Sequence, residues 1–307
     1  MQRPSRQRVL NLSLGDVELR LLRVFAAIVH HGGFSAAQTS LGMTQQTIST
    51  HMRHLEERLA LRLCERGRSG FQLTDEGRQV HAATLDLFGS IEQFQSRLGE
   101  AQGELSGNLR FGTVDAMITN RALNLQDAIG AFHRLAPRVQ LEIDVAAPQV
   151  LYQGLLEGAY QIVLMPSISG LPSHFRAQAI YSEAQKLYCA KGNPLFELPD
   201  ERITDVLLET QPFAGRTYMT DRQICGVNFG WSAATPHMEG TLLLLLSGVY
   251  IGFLPDHYAD EFVRNGQLRM LAPQRMSFED PFYIAYPRER PSRAAETLSQ
   301  AIVAGVR

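Results

Sequence analysis

The stretch FSAAQTSLGMTQQTISTHMRHLEERLALRLCERGRSGFQL, residues 34–73, decides the fold of the amino-terminal part of this chain. It contains two short helical patterns separated by a turn at Gly42, and a basic, glycine-punctuated segment that is typical of a β-hairpin follows them. This order is the layout of a winged helix-turn-helix, whose second helix enters a groove of DNA. The sequence therefore predicts a DNA-binding domain over residues 1–73.

The second helical pattern has an apolar face and a polar face. Thr44 is predicted to cap this helix, and Ile48, Met52, Leu55 and Leu59 recur at the spacing of one buried face. The opposite face and the first turn carry side chains that can hydrogen-bond to base edges or phosphates. The residues predicted to contact DNA from these two helices are Ser35, Thr44, Gln45, Gln46, Thr47, Ser49, Thr50 and Arg53.

Two features flank this helix. Ser35 is predicted to be the N-cap of the preceding short helix, and the apolar stripe in residues 21–28 indicates another helix, so that three helices enclose one small core. On the other side, residues 63–73 are predicted to form two short strands with Arg66 and Arg68 at the tip. These arginines are expected against phosphates or in a minor groove.

Each of these features alone has an ordinary explanation, because polar helix faces are usually only solvated and arginines are common in surface turns. Their order favours DNA binding, since a generic helical bundle needs no polar face followed directly by a basic hairpin.

Residues 17–98 closely resemble the LysR-type transcriptional regulators. The resemblance is carried by residues 22–25, 33–37, 44–49, 55–56, 63–66 and 73–77.

The chain departs from this family at two positions of the amino-terminal pattern. Gln46 stands where proline is frequent, and Cys64 stands where phenylalanine is usual. Because Gln46 lies on the predicted DNA-facing side, the preferred operator sequence is expected to differ from that of other members.

Length and charge agree with a multidomain DNA-binding protein. The chain has 307 residues, of which 45% are hydrophobic, and this is enough for two or more cores. The net charge of -2 hides an asymmetry, because residues 1–80 contain 11 arginines and 7 acidic residues, whereas the remainder contains 18 basic and 24 acidic residues. No apolar run has the length of a signal peptide or a membrane span, so a cytoplasmic protein is expected.

Cysteine and histidine spacing predicts neither a metal nor a cofactor. Cys64, Cys189 and Cys225 are too scattered for a disulfide scaffold or a tetrahedral zinc site, so reduced thiols are expected, with a redox switch as the alternative. His51 and His54 lie three residues apart on the predicted helix, but no third ligand has a suitable spacing.

Residues 74–104 are predicted to form a linker and dimerisation helix that ends in a hinge. Thr74 can cap this helix, whose apolar residues recur at gaps of three and four over residues 80–98, with Leu85 and Phe88 as a second apolar edge. Either a second copy or the carboxy-terminal domain would cover these edges. The resemblance implies a homodimer or homotetramer that binds two half-sites of double-stranded promoter DNA.

Residues 105–307 alternate strand and helix patterns, which predicts an α/β domain with parallel strands. A last strand at 282–286 and a helix from Ser292 are expected to return to the first half, which leaves two lobes joined by crossing strands. Buried strands are predicted at 109–114, 139–145, 161–165, 186–190 and 249–254, and a helix near 123–135.

This half resembles the two-lobed LysR-type effector-binding domain, which is itself similar to periplasmic binding proteins. The resemblance lies in residues 107–112, 137–139, 192–195 and 248–255, and the family commonly has aspartate where Gln161 stands. The chain is therefore expected to be an α/β multidomain protein: a winged helix-turn-helix, a long linker helix and an effector-binding domain.

The effector is expected where strand ends meet helix starts between the lobes. Arg216 is a candidate clamp for a carboxylate, while Asp115 would repel an anion unless paired with Arg216, or would bind an amine. A carboxylate or a zwitterion is therefore expected. The candidate effector-binding residues, each of which has an ordinary loop or core role as its alternative, are Thr113, Val114, Asp115, Ala116, Ala147, Pro148, Pro166, Ser167, Arg216, Thr217, Tyr218 and Trp231.

No catalytic motif supports an enzyme. The sequence has no Gly-x-Ser-x-Gly elbow, no phosphate-binding loop that ends in Lys-Ser or Lys-Thr, and no His-Glu-x-x-His. An enzyme fused to a DNA-binding module would lack its nucleophile or acid-base pair, and a solute-binding protein would need an export signal. We expect a transcriptional regulator with promoter DNA, a small-molecule effector and RNA polymerase as candidate partners.

Overall fold

A computed structural model describes residues 15–67, 70–101, 105–166, 170–219, 221–289 and 291–306. The chain divides into two compact units, Met1–Ile91 and Glu92–Arg307. No helix among the described residues combines the length and the hydropathy that a bilayer crossing requires.

The first unit contains three helices, a hairpin and the start of a long helix. Phe25, Ile28 and Ile48 are fully buried in its core, as the helical periodicity predicts. Val80 and Phe88 of the long helix pack against the same core. The elements are α1 (Asp16–His30), α2 (Ala37–Leu41), α3 (Gln45–Leu59), β1 (Cys64–Gly67), β2 (Gly70–Leu73) and α4 (Asp75–Ala101).

The prediction that Ser35 is the N-cap of α2 was wrong. Ala36 occupies the N-cap position and already has helical dihedral angles, φ -66° and ψ -31°. The chain enters α2 through a turn in which the Ala37 N–H donates to the Gly33 carbonyl oxygen at 3.1 Å. Because the turn leads straight into the helix, the Ser35 side chain does not meet an open helix end.

The second unit is an α/β unit with α-helices beside a mixed sheet. Two short 3-10 helices, Met117–Thr119 and Asp200–Arg202, lie in its connections. The other elements are β3 (Ser106–Thr113), α5 (Leu125–Leu135), β4 (Arg138–Val145), α6 (Pro148–Leu156), β5 (Ile162–Pro166), β6 (Phe175–Ala190), α7 (Asp205–Glu209), β7 (Phe213–Arg216), β8 (Gln223–Ile224), β9 (Val227–Asn228), β10 (Trp231–Thr235), α8 (Met238–Leu246), β11 (Ile251–Pro255), α9 (Asp256–Arg264), β12 (Leu268–Met270), β13 (Ser277–Pro287) and α10 (Arg293–Gly305).

Two lobes share one sheet, as predicted. Over the described ranges, nine strands pair in the order β10-β7-β11-β6-β13-β5-β3-β4, with β12 also on β6. Parallel pairs form each lobe, β3 with β4 and β5 in the first and β7 with β10 and β11 in the second. The long antiparallel strands β6 and β13 cross between the lobes, and Leu298 and Ile302 of α10 are buried in the core of the first.

The prediction of a buried strand over residues 139–145 was wrong about burial. β4 forms there, but it lies at the end of the sheet, where Ile143 is 46% exposed and Val145 is 51% exposed. Its alternating apolar residues predict a strand correctly. They carry no signal for edge position, because that position depends on which distant strands pair.

Candidate DNA-binding helix and effector cavity

Helix α3 is anchored by its cap and by one face. The Thr44 side chain accepts a hydrogen bond from the Thr47 backbone N–H at 3.2 Å, which confirms the predicted N-cap. Glu18 of α1 forms an ion pair with Arg58 near the end of α3. The residues predicted for the apolar face are all buried: Ile48, Met52, Leu55 and Leu59. These contacts fix which side of α3 points away from the core.

The opposite face of α3 presents Gln46, Thr50, Arg53 and Glu57, and Ser49 is half-buried on its flank. The Thr50 hydroxyl donates to the Gln46 carbonyl oxygen at 3.0 Å. Arg53 Nε lies 3.8 Å from Glu57 Oε1, and these side chains are 66% and 63% exposed. Because exposed ion pairs are weak in water, Arg53 can leave this pair to bind a base or a phosphate.

The first turn of α3 presents Gln45, Gln46 and Thr47, which are all exposed. Gln38 of α2 links this turn to Ser35. Its Oε1 accepts from the Gln45 N–H at 3.2 Å, and its Nε2 donates to Ser35 Oγ at 3.3 Å. Sequence reasoning did not single out Gln38, because its role depends on the approach of α2 to α3. The exposed helix amino terminus and these side chains form a surface suited to phosphate oxygens.

The hairpin follows α3 as predicted. Strands β1 and β2 pair in an antiparallel register. Glu56 of α3 ties the hairpin to the helix, because its Oε1 accepts from the Leu63 N–H at 2.8 Å and from the Cys64 N–H at 3.4 Å. The side chain of Arg66, in β1, and the whole of Arg68 lie outside the described part of the chain, so their phosphate contacts stay predictions.

Two histidines lie on the flank of α3, beside a cavity of about 360 Å³ in the first unit. Burial, and the charges of Arg20 and His54, lower the pKa of His51, so that it is neutral at pH 7. Nowhere in the described ranges do three His, Cys, Asp or Glu side chains come together as metal ligands do. His51 and His54 both line this cavity.

A cavity of about 650 Å³ lies between the two lobes of the second unit. The start of α6 and the end of β5 contribute from the first lobe, the residues after β7 from the second, and β13 from the crossing pair. Gln149 Nε2 donates to the Tyr218 carbonyl oxygen at 3.2 Å and so bridges the lobes. The lining residues are Pro148, Gln149, Tyr152, Gln153, Pro166, Arg216, Tyr218, Met219, Asp221, Phe278 and Asp280.

Arg216 lies at the end of β7 and lines this cavity although it is only 6% exposed. Its Nη2 donates to the Gln185 side-chain oxygen at 2.8 Å and to the Phe253 carbonyl oxygen at 3.3 Å. Both acceptors are neutral, so they orient the guanidinium without neutralising its charge. Burial raises the pKa of the Tyr218 phenol, and the neighbouring Arg216 opposes that rise.

Asp280 is a lining residue that sequence reasoning missed. It lies in β13, and burial raises its pKa to about 6, with Arg216 lowering the pKa and Glu183 raising it. Asp221 lines the same cavity, and its Oδ1 accepts from the Gln223 N–H at 2.9 Å. The available signal was an acidic residue directly before the apolar run PFYIAY of the same strand.

The structure brings four of the twelve effector candidates together in this cavity: Pro148, Pro166, Arg216 and Tyr218. Thr113 and Val114 are buried, and Thr217 is exposed. The centroids of the Trp231 and Phe213 rings lie 6.0 Å apart. The candidates that are not among the lining residues are Thr113, Val114, Asp115, Ala116, Ala147, Thr217 and Trp231. Ser167 lies outside the described residues.

Asp115 makes a contact between the lobes. It follows β3, and its carboxylate accepts a hydrogen bond from the Met238 N–H in the first turn of α8. His237 Nδ1 lies 4.0 Å from the same oxygen. Burial raises the pKa of Asp115, while the Met238 N–H, His237 and Arg216 oppose that rise. Asp115 thus caps a helix of the second lobe from the first.

A buried polar network connects Arg216 to α9. Gln185 Nε2 donates to Glu183 Oε2 at 2.7 Å, and His257 Nε2 lies 2.8 Å from Glu183 Oε1. His257 Nδ1 in turn lies 2.8 Å from the Thr119 hydroxyl of the first lobe. The guanidinium in the cavity is therefore held by a chain of hydrogen bonds that reaches His257 of α9 and Thr119 of the first lobe.

The cysteines differ in exposure. Cys64 and Cys189 are buried, and burial raises the pKa of Cys189 to about 12, so that its thiol stays protonated. Cys225 is exposed, and its Sγ lies 3.6 Å from the Ser277 carbonyl oxygen. Cys189 therefore fits the predicted buried, unreactive thiol.

Comparison with known proteins identifies both parts of the chain. Residues 19–78 match the helix-turn-helix domain of bacterial regulatory proteins of the lysR family, and residues 102–307 match the LysR substrate binding domain. The first match spans α3 and the hairpin, and the second spans the two-lobed unit.

Relatives of similar length support this match. The chain is 36% identical over 298 residues to the HTH-type transcriptional activator BauR of Pseudomonas aeruginosa, an alignment that covers 95% of this chain and 97% of that protein. It is 25% identical over 293 residues to the HTH-type transcriptional regulator PtxR of the same organism, with 90% and 89% covered.

Solved structures share the fold. CrgA from Neisseria meningitidis, a LysR-type transcriptional regulator, is 20% identical with a TM-score of 0.54, and the match covers 94% of this chain and 98% of that chain. ArgP from Mycobacterium tuberculosis is 16% identical with a TM-score of 0.60, and the match covers 96% and 98%. Because its helix-turn-helix and its two-lobed unit both match domains of one family, the chain belongs to the LysR-type transcriptional regulators.

Proposed function

We propose that this regulator binds promoter DNA through α3 and responds to a small molecule in the cavity between its lobes. The observation that carries the proposal is the exposed polar face of α3, where Gln46, Thr50 and Arg53 lie opposite a fully packed apolar face. Such side chains pair with adenine and guanine edges. The proposal also includes contacts from Ser35, Thr44, Gln45, Thr47, Ser49, Arg66 and Arg68.

We assign DNA binding to residues 1–73, dimerisation and hinge to residues 74–104, and effector binding to residues 105–307. Phe94 and Leu98 support the second assignment, because they lie one helical turn apart on α4 and are 62% and 51% exposed. A second copy that covers them gives a homodimer, or a homotetramer of two such pairs. A symmetric dimer places two α3 helices on two half-sites of DNA in the cytoplasm.

The effector acts by changing how the lobes close. The Gln149–Tyr218 hydrogen bond spans the cavity, so a ligand that binds there changes the contacts between the lobes. The altered closure shifts the arrangement of linked dimers, and with it DNA bending and access of RNA polymerase. The function needs no catalytic step, and the charged groups of the cavity serve to bind a carboxylate or a zwitterion.

The recognition role is tested with Arg53→Ala. Fluorescence anisotropy titrations at matched salt are made with the intergenic DNA upstream of the regulator's own gene. The variant is expected to bind this DNA about 10- to 100-fold more weakly, as the loss of one good base contact implies. Its Tm should not change, because Arg53 is exposed.

The matched control is Arg264→Ala. Arg264 is an exposed arginine of α9 that pairs with Asp260 at 3.1 Å, so its removal takes away the same charge and a similar surface ion pair. The control should bind DNA as the wild type does. Equal affinity of Arg53→Ala and the wild type would reject the recognition role of this face.

A further inference from the structure

The cavity between the lobes holds charges of both signs that form no close ion pair with each other among the described residues. Among its described lining residues, Arg216 is the cation, and Asp221 and Asp280 are the anions. The ion pairs within the described ranges do not include one between Arg216 and either of these carboxylates. A ligand must therefore meet both signs of charge in one small space.

The positive group is positioned by neutral partners. In the described part of the chain, Arg216 Nη2 donates to neutral oxygens of Gln185 and Phe253, and the guanidinium also forms a hydrogen bond with the Tyr218 side chain. A guanidinium carries five N–H donors and binds a carboxylate through two parallel hydrogen bonds, so Arg216, which lines the cavity, can receive a carboxylate there. Since Arg216 is 6% exposed, the bound anion would be largely shielded from water.

The negative group is only partly compensated, because the charge of Arg216 lowers the pKa of Asp280 but does not offset the rise that burial causes. No hydrogen bond to the Asp280 carboxylate occurs within the described ranges, and burial is the main reason that its pKa rises to about 6. Glu183 lies opposite Asp280 in the pairing of β6 with β13, and it adds to the negative potential there. An ammonium group at Asp280 would add a direct counter-charge to the partial compensation that Arg216 gives.

We propose that this cavity binds a small zwitterion, an amino acid whose carboxylate contacts Arg216 and whose ammonium group contacts Asp280. The proposal rests on the proposed function for the location of the effector. A simple carboxylate would leave Asp280 facing the bound anion, and a simple amine would leave the Arg216 guanidinium without an anionic ligand group. Tyr152, Met219 and Phe278 line the rest of the cavity and suit the aliphatic part of such a ligand.

The test uses isothermal titration calorimetry on the full-length protein at pH 7.5. The probes are glycine, its straight-chain homologues up to 6-aminohexanoate, and the common α-amino acids. Propionate and propylamine are the singly charged controls. At least one zwitterion is expected to bind at least tenfold more tightly than either control. The homologous series measures the separation of the two charges that the cavity accepts.

Asp280→Asn is the diagnostic variant, because it keeps the side-chain shape and removes the charge. It is expected to weaken zwitterion binding by on the order of tenfold or more and to leave propionate binding unchanged or tighter. Glu279→Gln is the matched control, because Glu279 is the exposed neighbour in the same strand and is not among the cavity-lining residues. It should bind the zwitterion as the wild type does.

The pH dependence gives a second readout. The groups that face Asp280 are Arg216 of β7, Glu183 and Tyr181 of β6, and Asp221 and Tyr218 after β7. Asp280 must be ionised to bind an ammonium group, so zwitterion affinity should fall as the pH drops through about 6. In Asp280→Asn this fall should disappear.

The outcomes separate the two proposals. If propionate or propylamine binds as tightly as every zwitterion, if none of the zwitterions binds, or if Asp280→Asn binds them as the wild type does, the inference is overturned. The proposed function is tested separately by DNA binding of the same wild-type sample, which needs no ligand. If the protein binds DNA specifically but binds none of the zwitterions, the proposed regulatory function stands and only the proposed class of effector is rejected.

Discussion

At Gly77, the first turn of α4 lies so close to the backbone at Leu63, before the hairpin, that no side chain fits between them. A Cβ atom at Gly77 would lie 1.9 Å from the Leu63 carbonyl oxygen, so the Leu63 backbone would have to move. The same oxygen accepts from the Thr74 N–H at 3.1 Å, and that bond would move with it. The first turn of α4 therefore requires glycine for close approach and not for a positive φ.

We predict that Gly77→Ala lowers the free energy of unfolding by about 1–3 kcal/mol, as overpacking against backbone typically does. Gly89→Ala, also in α4, is the control, because a Cβ there has no neighbour within 4 Å. The control should gain roughly 0.5–1 kcal/mol from helix propensity. Urea unfolding followed by circular dichroism measures both. A stable Gly77→Ala would contradict the close packing at this position.

At the scale of elements, α3 was predictable because its signals are local. Thr44 and the buried residues Ile48 and Met52 lie within three turns, and their spacing alone fixes the cap and the face. Asp280 was not predictable in the same way. Its place in the cavity depends on the pairing of β13 with β6 and on the approach of β7, which bring together residues far apart in the chain.

Helix α4 gives a prediction at this scale. Phe94→Glu with Leu98→Glu should shift the protein from dimer to monomer, because two charges replace exposed apolar side chains on one face. Sedimentation velocity at micromolar concentration measures the shift. Ala82→Glu adds a charge at an exposed position on another face of the same helix and should leave the dimer intact. A double variant that stays dimeric would place the contact between copies elsewhere.

At the scale of the second unit, contacts between the lobes were not predictable from sequence. Asp115 was expected at the effector, since it follows β3, but its carboxylate accepts from the Met238 N–H of α8. The Thr119–His257 hydrogen bond, at 2.8 Å, joins the same two lobes further along. Each contact joins residues of different lobes, so it forms only when the lobes have come together. The pattern of neighbouring residues in the sequence carries no information about such a contact.

From the Asp115 contact we predict which backbone amides become less protected when its carboxylate is removed. Asp115→Ala removes the acceptor at the first turn of α8, which should cost about 0.5–2 kcal/mol, as the loss of a helix cap does. Amides in residues 237–241 should then exchange with deuterium faster, and so should those near residues 115–120, because the contact joins both lobes. Asp127→Ala is the control, since Asp127 accepts a hydrogen bond from Asn124 within the first lobe alone. Faster exchange in the control at residues 237–241, or unchanged exchange there in Asp115→Ala, would show that this carboxylate does not hold the lobes together.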